Sequence, residues 1–311
     1  MNLSSKIRVA VLRGGLSNGY DTSLKMGEHI LSALREMPEV YEPTDIFISK
    51  DGEWHRGGLV YEPHHALQHT DVIWNALHGS YGEDGQVQRV LEGLQIPFTG
   101  SSAVASALAI NKDMARRLYR KNSLLTPAHE LITEDNLNED RLIDISRNYL
   151  YPVIVRPARR SSDEQANASE SLGVSLVHTF HELKQTIKEA FTHSPRVLVE
   201  EFIKGNEVSC AVIEGARGER IYALLPSSKS KFKLKVEENK EIEGMARRAH
   251  EVLGLSHYSS SDFIITPKRK IYILETNSLP VFHEDSLMHH SLHATGWRPR
   301  DFVDHVIKLT M

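Results

Sequence analysis

Three side chains with oxygen donors come together if residues 261–277 fold back as a hairpin: Asp262, Glu275 and Asn277. Two apolar runs, Phe263-Ile264-Ile265 and Ile271-Tyr272-Ile273-Leu274, flank a short polar stretch, the pattern of two strands and a turn. A two-residue turn at Lys268 and Arg269 sets Pro267 against Lys270 and, counting outward, Asp262 against Glu275. Glu275 and Asn277 are two apart and share a strand face. Directly opposed carboxylates repel, which costs stability unless something positive sits between them. A hard divalent cation meets that need, and Asp, Glu and Asn are ligand types Mg²⁺ accepts. By itself the hairpin reads equally well as a solvent-exposed face with two scattered acids.

Other blocks of the chain go with this hairpin. Ala76-Leu77-His78-Gly79-Ser80-Tyr81-Gly82-Glu83-Asp84-Gly85 resembles the ALHG-x-x-GEDG block of the D-alanine–D-alanine ligases, a branch of the ATP-grasp superfamily. Ile96-Pro97-Phe98-Thr99-Gly100-Ser101, followed by Ala105-Ser106-Ala107-Leu108 and Asn111-Lys112, resembles that family's next block. Val199-Glu200-Glu201-Phe202-Ile203-Lys204-Gly205-Asn206-Glu207 is similar to its nucleotide hinge, and the hairpin to its metal site. The blocks run in family order from about residue 7 to the C-terminus. The GEDG and E-x-N blocks are specific together and weak singly.

The resemblance implies a role for individual residues. Metal, Mg²⁺ or Mn²⁺, falls to Asp262, Glu275 and Asn277. Lys112 and Arg156 match cations on the nucleotide, Arg156 standing where the family has lysine. Arginine keeps the charge and grips phosphate with a fork. Glu200, Glu201, Phe202 and Ile203 match the linker that meets the adenine edge through its backbone, and Glu207 the acid on the ribose hydroxyls. Gly14 and Gly15 match the first-substrate loop, while Ser286 and Leu287 match the segment at the second substrate. His78, Ser23 and Ser171 match catalytic positions. The local alternatives are plainer: a turn at the Gly pair, capping by Glu83 and Asp84 at a helix start, surface ion pairs for the cations, a charged sheet edge at Glu207.

Departures from the family pattern are also legible. The glutamate that holds the first amino acid's ammonium aligns with Gly19, with Asp21 nearby. Ser260 stands in place of an arginine that stabilises an oxyanion, a donor commonly worth about 10²–10³ in rate. Val281 replaces a glycine, a long loop carrying Tyr and Lys is missing, and Ser169-Glu170-Ser171-Leu172-Gly173 stands for a Gly-Ser-Ser-x-Gly element. The implied activity is an ATP-dependent carboxylate–amine ligase that forms an acyl phosphate, D-alanine to D-alanine, for peptidoglycan synthesis. A ligase for another amino-acid pair, or a nucleotide-binding homologue that has lost catalysis, are the alternatives. A homodimer is implied by resemblance alone.

Bulk properties set wider bounds. At 311 residues two or three lobes are expected. A net charge of −4 gives no sign of nucleic acid or an anionic membrane as main partner. The one cysteine, Cys210, rules out an internal disulfide. No stretch approaches the roughly 18 apolar residues of a membrane span, and the first apolar run is too short for a signal peptide, so the expected location is the cytoplasm. His289 and His293 are four apart on a predicted helix, but no third ligand is positioned and no zinc pattern matches.

The elements that must position these residues follow from periodicity. Strands at 7–12, 45–49 and 72–77 alternate with helices at 23–37 and 84–94, which predicts a Rossmann-like parallel sheet over residues 1–110, with a small hairpin at Asp51-Gly52. Residues 111–196 form a central lobe opening with a helix at 112–121, carrying a strand at 152–156 and a helix at 182–191. Residues 197–311 form a C-terminal lobe of antiparallel strands, a helix at 237–253 and the metal hairpin. The expected fold class is α/β and α+β: the three-lobe ATP-grasp fold, with nucleotide between the second and third lobes.

Overall fold

The computed structural model describes residues 6–158, 174–192, 194–228, 230 and 232–311. Ser171, with the whole element Ser169-Glu170-Ser171-Leu172-Gly173, lies outside the described residues.

The N-terminal part runs β1 (Ile7–Gly14), α1 (Tyr20–Arg35), β2 (Tyr41–Ile48), β3 (Trp54–Arg56), β4 (Leu59–Tyr61), α2 (Pro63–Ala66), β5 (Val72–Asn75), α3 (Gln86–Leu94) and α4 (Ala103–Ile110). Its sheet has the order β4-β3-β2-β1-β5, with β1 parallel to both β2 and β5. Val9, Ala10, Val11 and Leu12 are buried in succession, as in a central strand covered on both faces. The hairpin after Ile48 makes one edge antiparallel, so the sheet is mixed and only its core is the expected parallel unit. At Gly14 the backbone has φ +91°, and a Cβ would sit 2.2 Å from the Ile48 carbonyl oxygen. Glycine is therefore required where β1 leaves the sheet beside β2.

The central part comprises α5 (Lys112–Lys121), β6 (His129–Thr133), α6 (Glu139–Asn148), β7 (Val153–Pro157), β8 (Ser175–Val177), α7 (Phe180–Phe191) and β9 (Arg196–Glu201). Its four strands are antiparallel in the order β6-β9-β7-β8. They bury their own core around Ile132, Leu142, Val155, Leu183 and Val199, contributed by α6, α7 and one sheet face.

The last part holds β10 (Asn206–Glu214), β11 (Ile221–Ala223), α8 (Val236–Val252), β12 (Tyr258–Ile265), β13 (Ile271–Asn277), α9 (Leu287–Ala294) and α10 (Pro299–Thr310). Its sheet is β11-β10-β12-β13. One apolar cluster joins it to the first part, where Trp74, Tyr258, Phe282 and Phe302 meet ring to ring. A second cluster packs α4 and α5 with α8 and the sheet. Helices on either side of the expected boundary at 110/111 thus share one core. No described helix is long and apolar enough to cross a membrane.

The β12–β13 hairpin corrects one expectation and keeps its consequence. Ile265 pairs with Ile271 and Phe263 with Ile273, so the turn spans 266–270 rather than the two residues Lys268 and Arg269. That register alone would bring Leu274 opposite Asp262. A register shift between Asp262 and Phe263 takes up one extra residue and restores Asp262 opposite Glu275. Burial along β13 marks the bulge: Leu274 and Glu275 are both half-buried where strict alternation would bury one of them.

Candidate active site

Helix α5 organises the site through an unusual buried face. Lys112, Asp113, Ala115, Arg116 and Tyr119 are all buried, and Lys112, Arg116 and Tyr119 recur at helical spacing on one side. Lys112 lies against Glu275, while Tyr119 donates 2.8 Å to Thr276 Oγ1, so α5 grips β13 at two successive residues. The Lys112 amide also donates to the Ala158 carbonyl at 3.1 Å, which ties the start of α5 to the end of β7. A cleft has Glu83, Lys112, Glu275 and Asn277 in its walls, joining residues from all three parts of the chain.

The oxygen set at the hairpin comes from adjacent strands in register. Asp262 faces Glu275 and Ser260 faces Asn277 across β12 and β13, and all four are half-buried. On its other side Asp262 Oδ1 accepts a 2.5 Å hydrogen bond from Ser209 Oγ on β10, which fixes the carboxylate.

The loops after β1 and β5 meet. Ser23 is fully buried; its Oγ accepts from the Gly14 amide at 2.8 Å and donates to the Ala76 carbonyl at 2.9 Å. Through these two hydrogen bonds its hydroxyl ties two strand exits together. Ser17 Oγ donates 2.7 Å to the His78 carbonyl, and Gly19 packs directly on that carbonyl. His78 is buried, with Nδ1 against Glu83 Oε1, and the same oxygen accepts the Gly79 amide at 2.8 Å. Glu83 and Asp84 do not open a helix: α3 starts at Gln86 after Gly85, at φ +90°. Asp84 instead accepts the Gln86 amide at 3.1 Å, a cap made from outside the helix.

On the central sheet, Glu200 is 2% exposed at the centre of a charge triad. Arg116 lies against its Oε2, and Arg156 Nη1 is 3.4 Å from its Oε1. Ile154 is the cross-strand partner of Glu200, so Arg156 reaches it as a diagonal neighbour on one sheet face. Burial pushes the Glu200 carboxyl toward the neutral form, but Arg116 and Arg156 outweigh it and hold the group below the usual carboxylate range. The four-residue hinge therefore divides. Glu200 pairs with strands on both sides and the Glu201 amide donates to the Ala128 carbonyl at 2.9 Å, while Phe202 and Ile203 lie past the last sheet residue. Glu207 is exposed at the start of β10. Arg116 was missed in the sequence, although its place four residues after Lys112 on a helix is the signal that finds it.

Ser286 caps α9: its Oγ accepts the His289 amide at 3.2 Å and donates to the His283 carbonyl at 2.7 Å, leaving Leu287 as the first helical residue. Beside it, His29 Nε2 on α1 is 3.3 Å from His289 Nδ1, with His290 and His293 adjoining and His283, Glu284 and Asp285 on the approach to α9. Burial first holds His29 and His289 below the ordinary 6.5, with the charge of His289 second for His29 and those of His290 and His293 next for His289; burial likewise lowers His283, which also feels Lys25 and His78. The unfolded chain takes up these protons near pH 6.5 while the folded chain resists, so stability falls on acidification below that value. The urea midpoint should drop between about pH 7.5 and about 5.5, and His29→Gln with His289→Gln should flatten the fall. An unchanged slope in the double variant would put the proton uptake elsewhere.

Comparison with known proteins decides the family. A family model described as D-ala D-ala ligase C-terminus matches residues 118–226 and 226–308, and one described as D-ala D-ala ligase N-terminus matches 59–101. The chain belongs to the D-alanine–D-alanine ligase family. Among its relatives, the D-alanine–D-alanine ligase of Aquifex aeolicus is 31% identical over 91% of this chain and 93% of its own length. That of Syntrophotalea carbinolica is 31% identical over 96% and 95%. The Bacillus anthracis D-alanine–D-alanine ligase, solved in complex with ATP, is 25% identical with a TM-score of 0.78, covering 98% of this chain and 96% of that one. The Coxiella burnetii enzyme superposes with a TM-score of 0.85 at 23% identity over 98% and 95%, which fixes the ATP-grasp fold.

The donor chemistry at this ligase-family hairpin suits Mg²⁺. Asp262, Glu275 and Asn277 offer only oxygen, two of them carboxylates, and Mg²⁺ is usually held by one or two carboxylates together with phosphate and water.

Proposed function

We propose that this chain joins D-alanine to D-alanine with ATP, in the cytoplasm, for peptidoglycan synthesis. The observation that carries the reading is the meeting of Glu83, Lys112, Glu275 and Asn277 around one cleft in a chain of this family. The carboxylate oxygen of one amino acid attacks the γ-phosphorus, and ADP leaves. The amine of the second then attacks the acyl carbon, phosphate departs, and the amine loses a proton. When bound at Asp262, Glu275 and Asn277, Mg²⁺ supplies neutralisation of charge on the phosphate oxygens. Lys112 and Arg156 grip the phosphates, Phe202 and Ile203 take the adenine edge, and Glu207 takes the ribose. The Gly14-Gly15 loop and His78 hold the first amino acid. The second lies by Leu287, the segment Ser286 positions. Residues 1–110, 111–196 and 197–311 serve as substrate, central and metal-bearing lobes, with α4 and α5 as a shared floor. The assembly is a homodimer.

A second reading, a ligase for another amino-acid pair, is favoured by one observation. The Gly19 backbone packs on the His78 carbonyl where the family's ammonium-holding acid belongs. Mg·ATP turnover with D- and L-amino acids, followed by mass detection of products, separates the readings. D-alanyl-D-alanine supports the first, a different dipeptide the second. Absence of phosphate release with every amino acid would sink both and leave a nucleotide-binding homologue.

A further inference from the structure

We infer that His29 and His289 are positioning residues for the second amino acid: their imidazoles clasp α1 to α9 and so set the register of the Ser286–Leu287 segment. The inference rests on the reading that the second amino acid lies by Leu287.

That segment is a locked unit. Ser286 Oγ accepts the His283 amide and the His289 amide, each at 3.2 Å, and donates to the His283 carbonyl at 2.7 Å. Residues 283–289 therefore move together, with Leu287 half-buried at the start of α9. Behind them Phe282, Met288 and Leu292 pack with Met26 and Ile30 of α1 in one apolar cluster. Apolar packing is non-directional and leaves a helix room to slide or roll. A hydrogen bond between fixed atoms removes that room. His29 Nε2 stands 3.3 Å from His289 Nδ1, and the His29 ring meets Phe282 edge to face with centroids 4.9 Å apart. Both imidazoles are half-buried. His29 follows Ser23 by six residues, so α1 carries the tie between Gly14 and Ala76 and, within two turns, the clasp on α9.

The clasp needs one ring to donate and the other to accept. It survives the first proton, since a protonated ring still donates to a neutral one. A second proton sets two N–H groups and two charges against each other and opens it. The groups around the pair are His283 and Glu284 before α9, His290 and His293 on α9, and Lys25 on α1 and Asp285, which act on His283. Glu284 favours charged rings, but burial and the neighbouring imidazoles outweigh it. The clasp is therefore closed at neutral pH and opens on acidification.

A merely structural pair would change the amount of folded enzyme, and hence kcat, whereas a positioning pair changes KM at one site. Initial rates of ADP release over a range of D-alanine concentrations, resolved into KM values for the first and second D-alanine, separate the two. Calorimetric ATP affinity is the control. His29→Leu and His289→Leu keep apolar bulk and remove the clasp. Each should raise the second KM by about three- to tenfold, the scale of one hydrogen bond, with the first KM and ATP affinity unchanged. His29→Gln with His289→Asn puts amide atoms where Nε2 and Nδ1 stood, so the bond remains and no longer titrates. This double variant should match the parent near neutral pH. As pH falls from about 7.5 to about 5.5 the second KM of the parent should rise about twofold or more beyond that of the double variant, the amine of D-alanine titrating alike in both. A second KM unchanged in both leucine variants, or raised together with the first, would overturn the inference, and so would equal pH slopes in the parent and the double variant. Should the leucine variants fail to fold, the pH comparison decides. A parent that makes no D-alanyl-D-alanine refutes instead the placing of a second D-alanine by Leu287, and the inference falls with it for that separate reason.

Discussion

Asp262→Asn should lower Mg²⁺-dependent phosphate release by about 10³-fold while leaving the fold intact, the loss expected when several kcal/mol of charge stabilisation is removed. The substitution is isosteric, and the Ser209 hydroxyl that donates to Asp262 Oδ1 still finds an amide oxygen to bond. Glu275→Gln should cost as much activity but differ in stability. Lys112 lies against Glu275 with its side chain only 2% exposed, so neutralising the acid takes the facing carboxylate charge from a buried ammonium. Breaking such a pair from one side commonly costs about 3–5 kcal/mol. The two variants should therefore match in steady-state rate and separate in thermal midpoint, Glu275→Gln falling well below Asp262→Asn. Near-normal turnover in both, with unchanged Mg²⁺ dependence, would remove the metal from this hairpin.

What the sequence made legible depended on whether the signal was local. Alternation within the hairpin was enough to pair Asp262 with Glu275, yet the turn length was misjudged and a bulge compensated. Both errors arise because polar residues 266–270 accept several turn geometries, while Asp262 and Glu275 are fixed from the sheet side by β10 and α5. The helix at Lys112–Lys121 was read to the residue because Asn111 caps it and its period is clear. The partners of its buried cations were not legible. Arg116 meets Glu200 from 84 residues away, and no spacing rule links them. Nor does any spacing rule place the Ser23 hydroxyl between the Gly14 amide and the Ala76 carbonyl. The shared core of the first and last parts was invisible for the same reason, since Trp74, Tyr258 and Phe302 lie in separate blocks that each read as ordinary strand or helix.

Gly19→Glu, which writes the family's acid back into the first-substrate loop, should destabilise the protein and fail to raise turnover. Gly19 has φ −71°, so its backbone accepts any L-residue and the obstacle is space. A Cβ there would stand 2.8 Å from the His78 carbonyl oxygen, 2.9 Å from its carbon and 3.0 Å from the imidazole Cδ2. The carbonyl cannot yield easily, because Ser17 Oγ donates to it at 2.7 Å and His78 is wedged against Glu83. Overpacking of this kind costs about 1–3 kcal/mol, and Gly19→Ala isolates that term from the effect of the added charge. Both variants should lower the urea midpoint to a similar extent, with the loop displaced rather than the acid delivered to substrate. Gly19 packs on His78, so the prediction is that a rebuilt wall, and not a simple deletion, stands behind the missing glutamate. A Gly19→Glu protein as stable as the parent, and faster with D-alanine, would show that the loop opens at little cost and that one lost side chain is the whole of the departure.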